Sequence, residues 1–74
     1  MQFDFSKLLG KIRELGYTQS SLAEEIGIAL STMNLKLNNK AFFTPPEIEK
    51  IRTILGISHD EIGLYFFTLK VQEN

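Results

Sequence analysis

The stretch Thr18-Gln19-Ser20-Ser21-Leu22-Ala23-Glu24-Glu25-Ile26-Gly27-Ile28, followed directly by Ala29–Asn38, decides how this chain folds. Thr18 offers a hydroxyl cap, and Leu22, Ala23 and Ile26 follow it at helical spacing. Gly27 stops that helix. Ile28 and Ala29 lead at once into a second run, in which Met33 and Leu37 sit four apart. Two short helices with only a glycine-centred turn between them must cross steeply. Ala23 is small where the crossing needs close approach, and Gly27 can take a backbone conformation that a β-carbon would penalise. With Met33 and Leu37 turned to a core, the opposite face looks outward. Leu30, Asn34 and Asn38 form one row on it, and Ser31 with Leu35 the adjacent row.

Outward from this unit the chain continues to read as helices. Before it, Phe5, Leu8, Leu9, Ile12 and Leu15 recur at helical spacing, with Asp4 able to cap the start and Gly16 placed for a left-handed stop. After it, Asn38-Asn39 ends the second helix, because Asn tolerates positive φ. A loop, Lys40–Phe43, carries two aromatics toward the core. Thr44-Pro45-Pro46-Glu47 is a helix start, with Thr at the cap, Pro at the first helical position and Glu closing a capping box. Ile48, Ile51, Ile54 and Leu55 define the helix that follows, and Gly56 closes it. Ser58-His59-Asp60-Glu61 repeats the box and opens a short fifth helix with Ile62, Tyr65 and Phe66. Phe66–Val71 is richer in strand formers, and the C-terminal segment 66–74 carries no firm assignment. The expected architecture is all-α, five helices in one domain spanning 1–74.

Composition limits what such a domain does. At 74 residues the chain carries one core and little room for a deep substrate cavity. It has no cysteine, which removes disulfides, thiolate chemistry and cysteine metal sites. No apolar run approaches the ~18 residues of a membrane span, and no secretory pattern opens the chain, so a cytoplasmic location is expected. Net charge is −1, which argues against a strongly basic, non-specific nucleic-acid binder. The charge is uneven, however. Lys7, Lys11, Arg13, Lys36 and Lys40 outnumber the acids in residues 1–40, whereas acids prevail in residues 41–74. His59 is the lone histidine and has no second ligand or nucleophile beside it, so no metal, cofactor or enzyme activity is expected.

A protruding, mostly polar helix also fits a DNA major groove, which is ~12 Å wide. Gln19, Leu22, Ala23, Gly27 and Ile28, with Met33 in the second helix, resemble in register the helix-turn-helix of the Cro/CI-type (XRE) phage repressor superfamily. Lys36-Leu37-Asn38-Asn39-Lys40, Phe43 and Glu47-Ile48 are similar to small Cro- or repressor-like proteins of Gram-positive temperate phages and prophages. The resemblance implies a five-helix lambda-repressor-like domain with its helix-turn-helix at residues 18–38. It implies a sequence-specific transcriptional regulator that binds double-stranded DNA at a palindromic operator, as a homodimer at least on DNA. Three positions depart from the pattern. Ala29 stands where relatives have a Ser or Thr cap, Asn39 replaces a common Gly, and Leu30 stands where several relatives read adenine with Gln.

The residues expected to contact DNA are Thr18, Gln19, Leu30, Ser31, Thr32, Asn34, Lys36, Asn38 and Lys40. Gln19 matches a phosphate and base clamp, and Ser31 and Asn34 match base-contact positions. Leu30 and Leu35 could meet thymine methyls or be ordinary exposed apolar residues. Lys36 is expected to cover the core edge with its stem and send its ammonium to a phosphate. Asn38 either caps its own helix or binds phosphate. The competing reading is a protein-interaction module on the same fold, such as an antitoxin or an antirepressor partner, which the acidic balance favours and the polar recognition face disfavours.

Overall fold

The computed structural model describes residues 2–71, which form five α-helices: α1 (Ser6–Glu14), α2 (Gln19–Ile26), α3 (Leu30–Leu37), α4 (Pro45–Leu55) and α5 (Ile62–Phe66). A single 3-10 turn, His59–Glu61, leads into α5. No strand is present among the described residues, and the nearest approach to one is an isolated antiparallel bridge between Phe3 and Leu69. Starts and stops follow local chemistry. Thr18 and Thr44 each exchange hydrogen bonds with the residue three positions on, so α2 and α4 both begin in capping boxes. α3 begins at Ala29 with no side-chain cap.

The first four helices all stop in the same way. One or two residues past each, the chain takes a left-handed conformation, at Gly16, Gly27, Asn39 and Gly56. The amide beyond it reaches back five residues, as in Ile28 N–H to Ala23 C=O at 2.9 Å and Lys40 N–H to Leu35 C=O at 2.8 Å. This double closure satisfies carbonyls that a helix end otherwise leaves bare. Only α3 uses a residue with a side chain at that position. Asn39 has φ +62°, and its amide has a second task described below.

The core is one cluster. Leu8 and Ile12 of α1, Leu22, Ala23 and Ile26 of α2, and Met33 of α3 pack with Ile51 and Leu55 of α4. Ile57, Phe5 and Phe66 close its ends. Phe66 is fully buried and meets Phe43 edge-on at 5.5 Å between ring centroids, and Phe43 meets Phe5 in the same way at 5.6 Å. Such tilted pairs add to simple burial through the ring quadrupoles. Thus Phe66 completes the core of the single chain. Phe67 remains half-exposed and leans on Phe3 at 5.6 Å.

The segment after α5 folds back on the N-terminus. Asp4 N–H donates to Thr68 C=O at 2.7 Å, and Lys70 N–H donates to Gln2 C=O at 3.0 Å. On its other side Phe3 is held by Asn39, whose Oδ1 accepts from Phe3 N–H at 2.8 Å and whose Nδ2 donates to Phe3 C=O at 3.0 Å. The side-chain amide of Asn39 thus stands in for a third strand. Residues 72–74, part of the unassigned C-terminal segment, lie outside the described residues.

Candidate interaction face of the α2–α3 unit

α2 and α3 are joined by Gly27, Ile28 and Ala29 alone. Gly27 sits at φ +82°, with open space where a β-carbon would project, so backbone conformation and not crowding calls for glycine there. The buried side of the pair is Leu22, Ala23, Ile26 and Met33, which leaves α3 with one face on the core and one in solvent.

The outward face carries Leu30, 43% exposed, with Ser31, Asn34, Leu35 and Asn38. Leu35 is 50% exposed. Thr32 is half-buried at the flank of the face. The Nδ2 of Asn38 donates to Asn34 C=O at 2.8 Å, so Asn38 caps its own helix. Lys40 lies just past the stop, exposed. At the other edge Thr18 is occupied by the capping box, its Oγ1 accepting from Ser21 N–H at 3.0 Å. Gln19 is half-buried beside it and lines a shallow depression with Arg13 and Tyr17. Arg13 is an exposed cation at this edge that the sequence reading did not select, because it sits at the end of α1, outside the motif. The charge of Glu25, in the last turn of α2, raises the pKa of the Tyr17 phenol.

Lys36 departs from expectation. It is only 6% exposed, and its ammonium is turned inward, away from the outward row. There it pairs with Glu47 of α4, donates to Phe42 C=O at 3.2 Å, and lies 5.9 Å from the centroid of the Phe43 ring. The stem does lie along the core edge, and the ammonium is held by Glu47 and the Phe42 carbonyl instead of facing solvent. The physical reason is Glu47. Its Oε1 already faces this spot because it accepts from Thr44 N–H at 2.8 Å in the capping box, and a carboxylate held there attracts the nearest cation. Burial pushes the Glu47 carboxyl up, but hydrogen bonds from Lys36 and Thr44 outweigh it and hold the pKa below the ordinary carboxylate value.

Among its eight residues α3 therefore carries one cation, and that one is neutralised. The outward face is uncharged and partly apolar, flanked by Arg13 on one side and Lys40 on the other. No group of His and acidic side chains among the described residues could hold a metal ion, and no helix among them is long and apolar enough to cross a membrane.

Comparison with known proteins agrees with this small helical architecture. The chain is 40% identical to the modulator of repression (MOR) of the temperate bacteriophage TP901-1 from Lactococcus lactis, whose solution structure it matches with a TM-score of 0.78 over 97% of each chain. A comparison with curated proteins found no match. Residues 1–69 match the model of a family described as "Protein of unknown function (DUF739)", and the chain belongs to that family.

Proposed function

We propose that this chain is a regulatory protein of phage type that modulates repression, and that α2 and α3 are a helix-turn-helix of Cro/CI type whose outward face meets another protein in preference to DNA. One observation carries the preference: the single cation of α3, Lys36, is buried against Glu47. Proteins that hold operator DNA draw most of their affinity from Lys and Arg on phosphates. A recognition helix with no free cation, on a chain of net charge −1, forgoes most of that term. Leu30 and Leu35 favour the apolar groups of a protein surface, and Ser31 and Asn34 supply directional contacts around them. The similarity to a phage modulator of repression supports a target within a repressor circuit.

Sequence-specific operator binding as a homodimer is the second reading. Ser31 and Asn34 favour it, being exposed at base-reading positions, and so do Arg13 and Lys40 at the two edges of the face. The two readings separate in one experiment. The chain is co-expressed with a temperate-phage repressor and a reporter under that repressor's operator, and its direct DNA affinity is measured at two salt concentrations. Modulation through protein contact predicts altered reporter output that Leu30→Asp or Leu35→Asp abolishes, with DNA binding no tighter than the non-specific range of ~10⁻⁴–10⁻⁶ M. Nanomolar, sequence-selective binding by the chain alone would establish the second reading in its place.

A further inference from the structure

The terminal ribbon has an edge that nothing among the described residues covers. Asp4 N–H bonds Thr68 C=O and Lys70 N–H bonds Gln2 C=O, so Phe3 and Leu69 face each other as a non-hydrogen-bonded antiparallel pair. It follows that the N–H and C=O of Leu69 point the opposite way, to the outer side of the ribbon. Neither has a partner among the described residues. Leu69 is 54% exposed and Val71 89% exposed along this edge. The inner strand is held from behind by the Asn39 amide, so the edge is preformed.

We propose that this edge pairs with the same edge of a second copy of the chain, through a two-fold axis centred on Leu69. In that register each Leu69 N–H donates to the Leu69 C=O of the other copy. Thr68 lies across from Lys70, and the paired stretch stops there, because Phe67 keeps the backbone of the α5 terminus and its N–H donates to Gly63 C=O at 2.9 Å. Lys70 is the one charged residue in 66–71 and meets a neutral hydroxyl. The neighbouring two-fold register is centred on Lys70 and would set two ammonium groups directly opposite each other, which destabilises a sheet pair. The charge pattern thus favours the Leu69-centred register over its Lys70-centred neighbour. A foreign strand would face no such selection. The edge is short, well below the ~1,200 Å² of a stable interface, so association on the order of 10⁻⁴–10⁻³ M is expected. It would strengthen wherever a shared target holds two copies together. The proposal does not depend on which target the α3 face meets.

Sedimentation equilibrium from tens of micromolar to millimolar protein tests it. The chain should pass from monomer to dimer across that range. Leu69→Pro removes the outward N–H and leaves both ribbon bonds, which use Thr68 C=O and Lys70 N–H, so it should remain folded and stay monomeric. The register has its own probe, since the chain contains no cysteine. Facing residues of a hydrogen-bonded pair lie ~5.5 Å apart at Cα, within disulfide reach. Leu69→Cys should therefore oxidise to a covalent dimer. Val71→Cys should not, because its counterpart lies four residues along, ~13 Å away. A chain monomeric at millimolar concentration, a dimer that survives Leu69→Pro, or equal crosslinking by both cysteine variants would each overturn the proposal.

Discussion

The two ends of α3 are built by different means. At its start, Gly27 turns the chain and Ala29 begins the helix, and every interaction that shapes the turn lies within about five residues. At its finish, Lys36 is tied to Glu47 eleven positions on, and Asn39 to Phe3 thirty-six positions back. Phe43, in the loop beyond, stacks on Phe66 from the far end of the chain. The first end is an arrangement of local backbone preferences. The second is a meeting of three remote segments, residues 2–5, 39–43 and 66–71. A local end loses little when one residue changes, whereas a remote junction loses a contact that nothing else supplies.

The largest loss is therefore expected at Phe66. Truncation to Ala removes a fully buried ring from the edge-on stack with Phe43 and leaves a cavity between α5 and the N-terminal segment. Phe66→Ala should cost ~3–5 kcal/mol, enough to leave so small a domain largely unfolded. Chemical denaturation monitored by circular dichroism measures it. A loss no larger than that of a surface residue would show that the remote junction is not what holds this end.

Lys36→Met comes next. Methionine keeps much of the apolar stem but leaves the Glu47 carboxylate without its cation, and the expected cost is ~2–3 kcal/mol, since Glu47 retains some contact with water. The pH dependence gives a sharper reading. Glu47 has a folded pKa below its unfolded value of about 4.3, so its charged form stabilises the fold above that pH, and the benefit is lost as pH falls through the folded value. Wild type and Lys36→Met should differ fully at neutral pH and converge in acid. DNA affinity, if measurable, should keep its salt slope in the variant. A flattened slope would mean that Lys36 reaches a phosphate after all.

The local end should respond more mildly. Gly27→Ala meets no neighbouring atom, so its cost is the conformational one alone, ~1–2 kcal/mol for an L residue held left-handed. On a domain of this size that lowers the melting temperature by roughly 4–16 °C, which differential scanning calorimetry resolves. A larger loss, with disrupted packing of α2 on α3, would show the turn to be coupled to the rest of the chain.

The same division explains what could be read in advance. Five helices, the caps at Thr18 and Thr44 and the stops at Gly16, Gly27 and Gly56 were legible, because each rests on residues close in sequence. Asn39 was legible as a helix stop, but its amide clasp on Phe3 was not, since nothing near position 39 points to position 3. Phe66 could be placed on the core by its helical spacing, whereas the pairing of residues 68 and 70 with residues 4 and 2 carries no local signal. On the α2–α3 face the outward positions of Ser31 and Asn34 followed from Met33 and Leu37 being turned inward. Lys36 misled because a lysine beside an outward row reads as exposed. Only the capping geometry of Glu47, on another helix, reveals the carboxylate that draws it in. Arg13 was missed for the converse reason, since the fold brings it from α1 to the edge of a motif it does not belong to.

The smallest effect expected is a gain. The start of α3 has neither a side-chain cap nor an acidic residue in its first turn, and Ala29 is already in the extended conformation that a capping residue takes, φ −69° and ψ 151°. A hydroxyl placed there can accept from the amide of Ser31 or Thr32, as Thr18 does for Ser21, without moving the backbone. Ala29→Ser should therefore stabilise the fold by ~0.5–1 kcal/mol, seen as a melting temperature raised by several degrees. The same change tests how α3 works. Position 29 is exposed and lies at the N-terminal lip of the outward face. If that face works as a rigid surface, the capped variant should modulate a repressor reporter at least as well as the parent chain. If instead the first turn of α3 must loosen to fit its target, the variant should be more stable and less active. That outcome would locate the reason for an uncapped start in function, at the end of α3 where local chemistry alone would have put a cap.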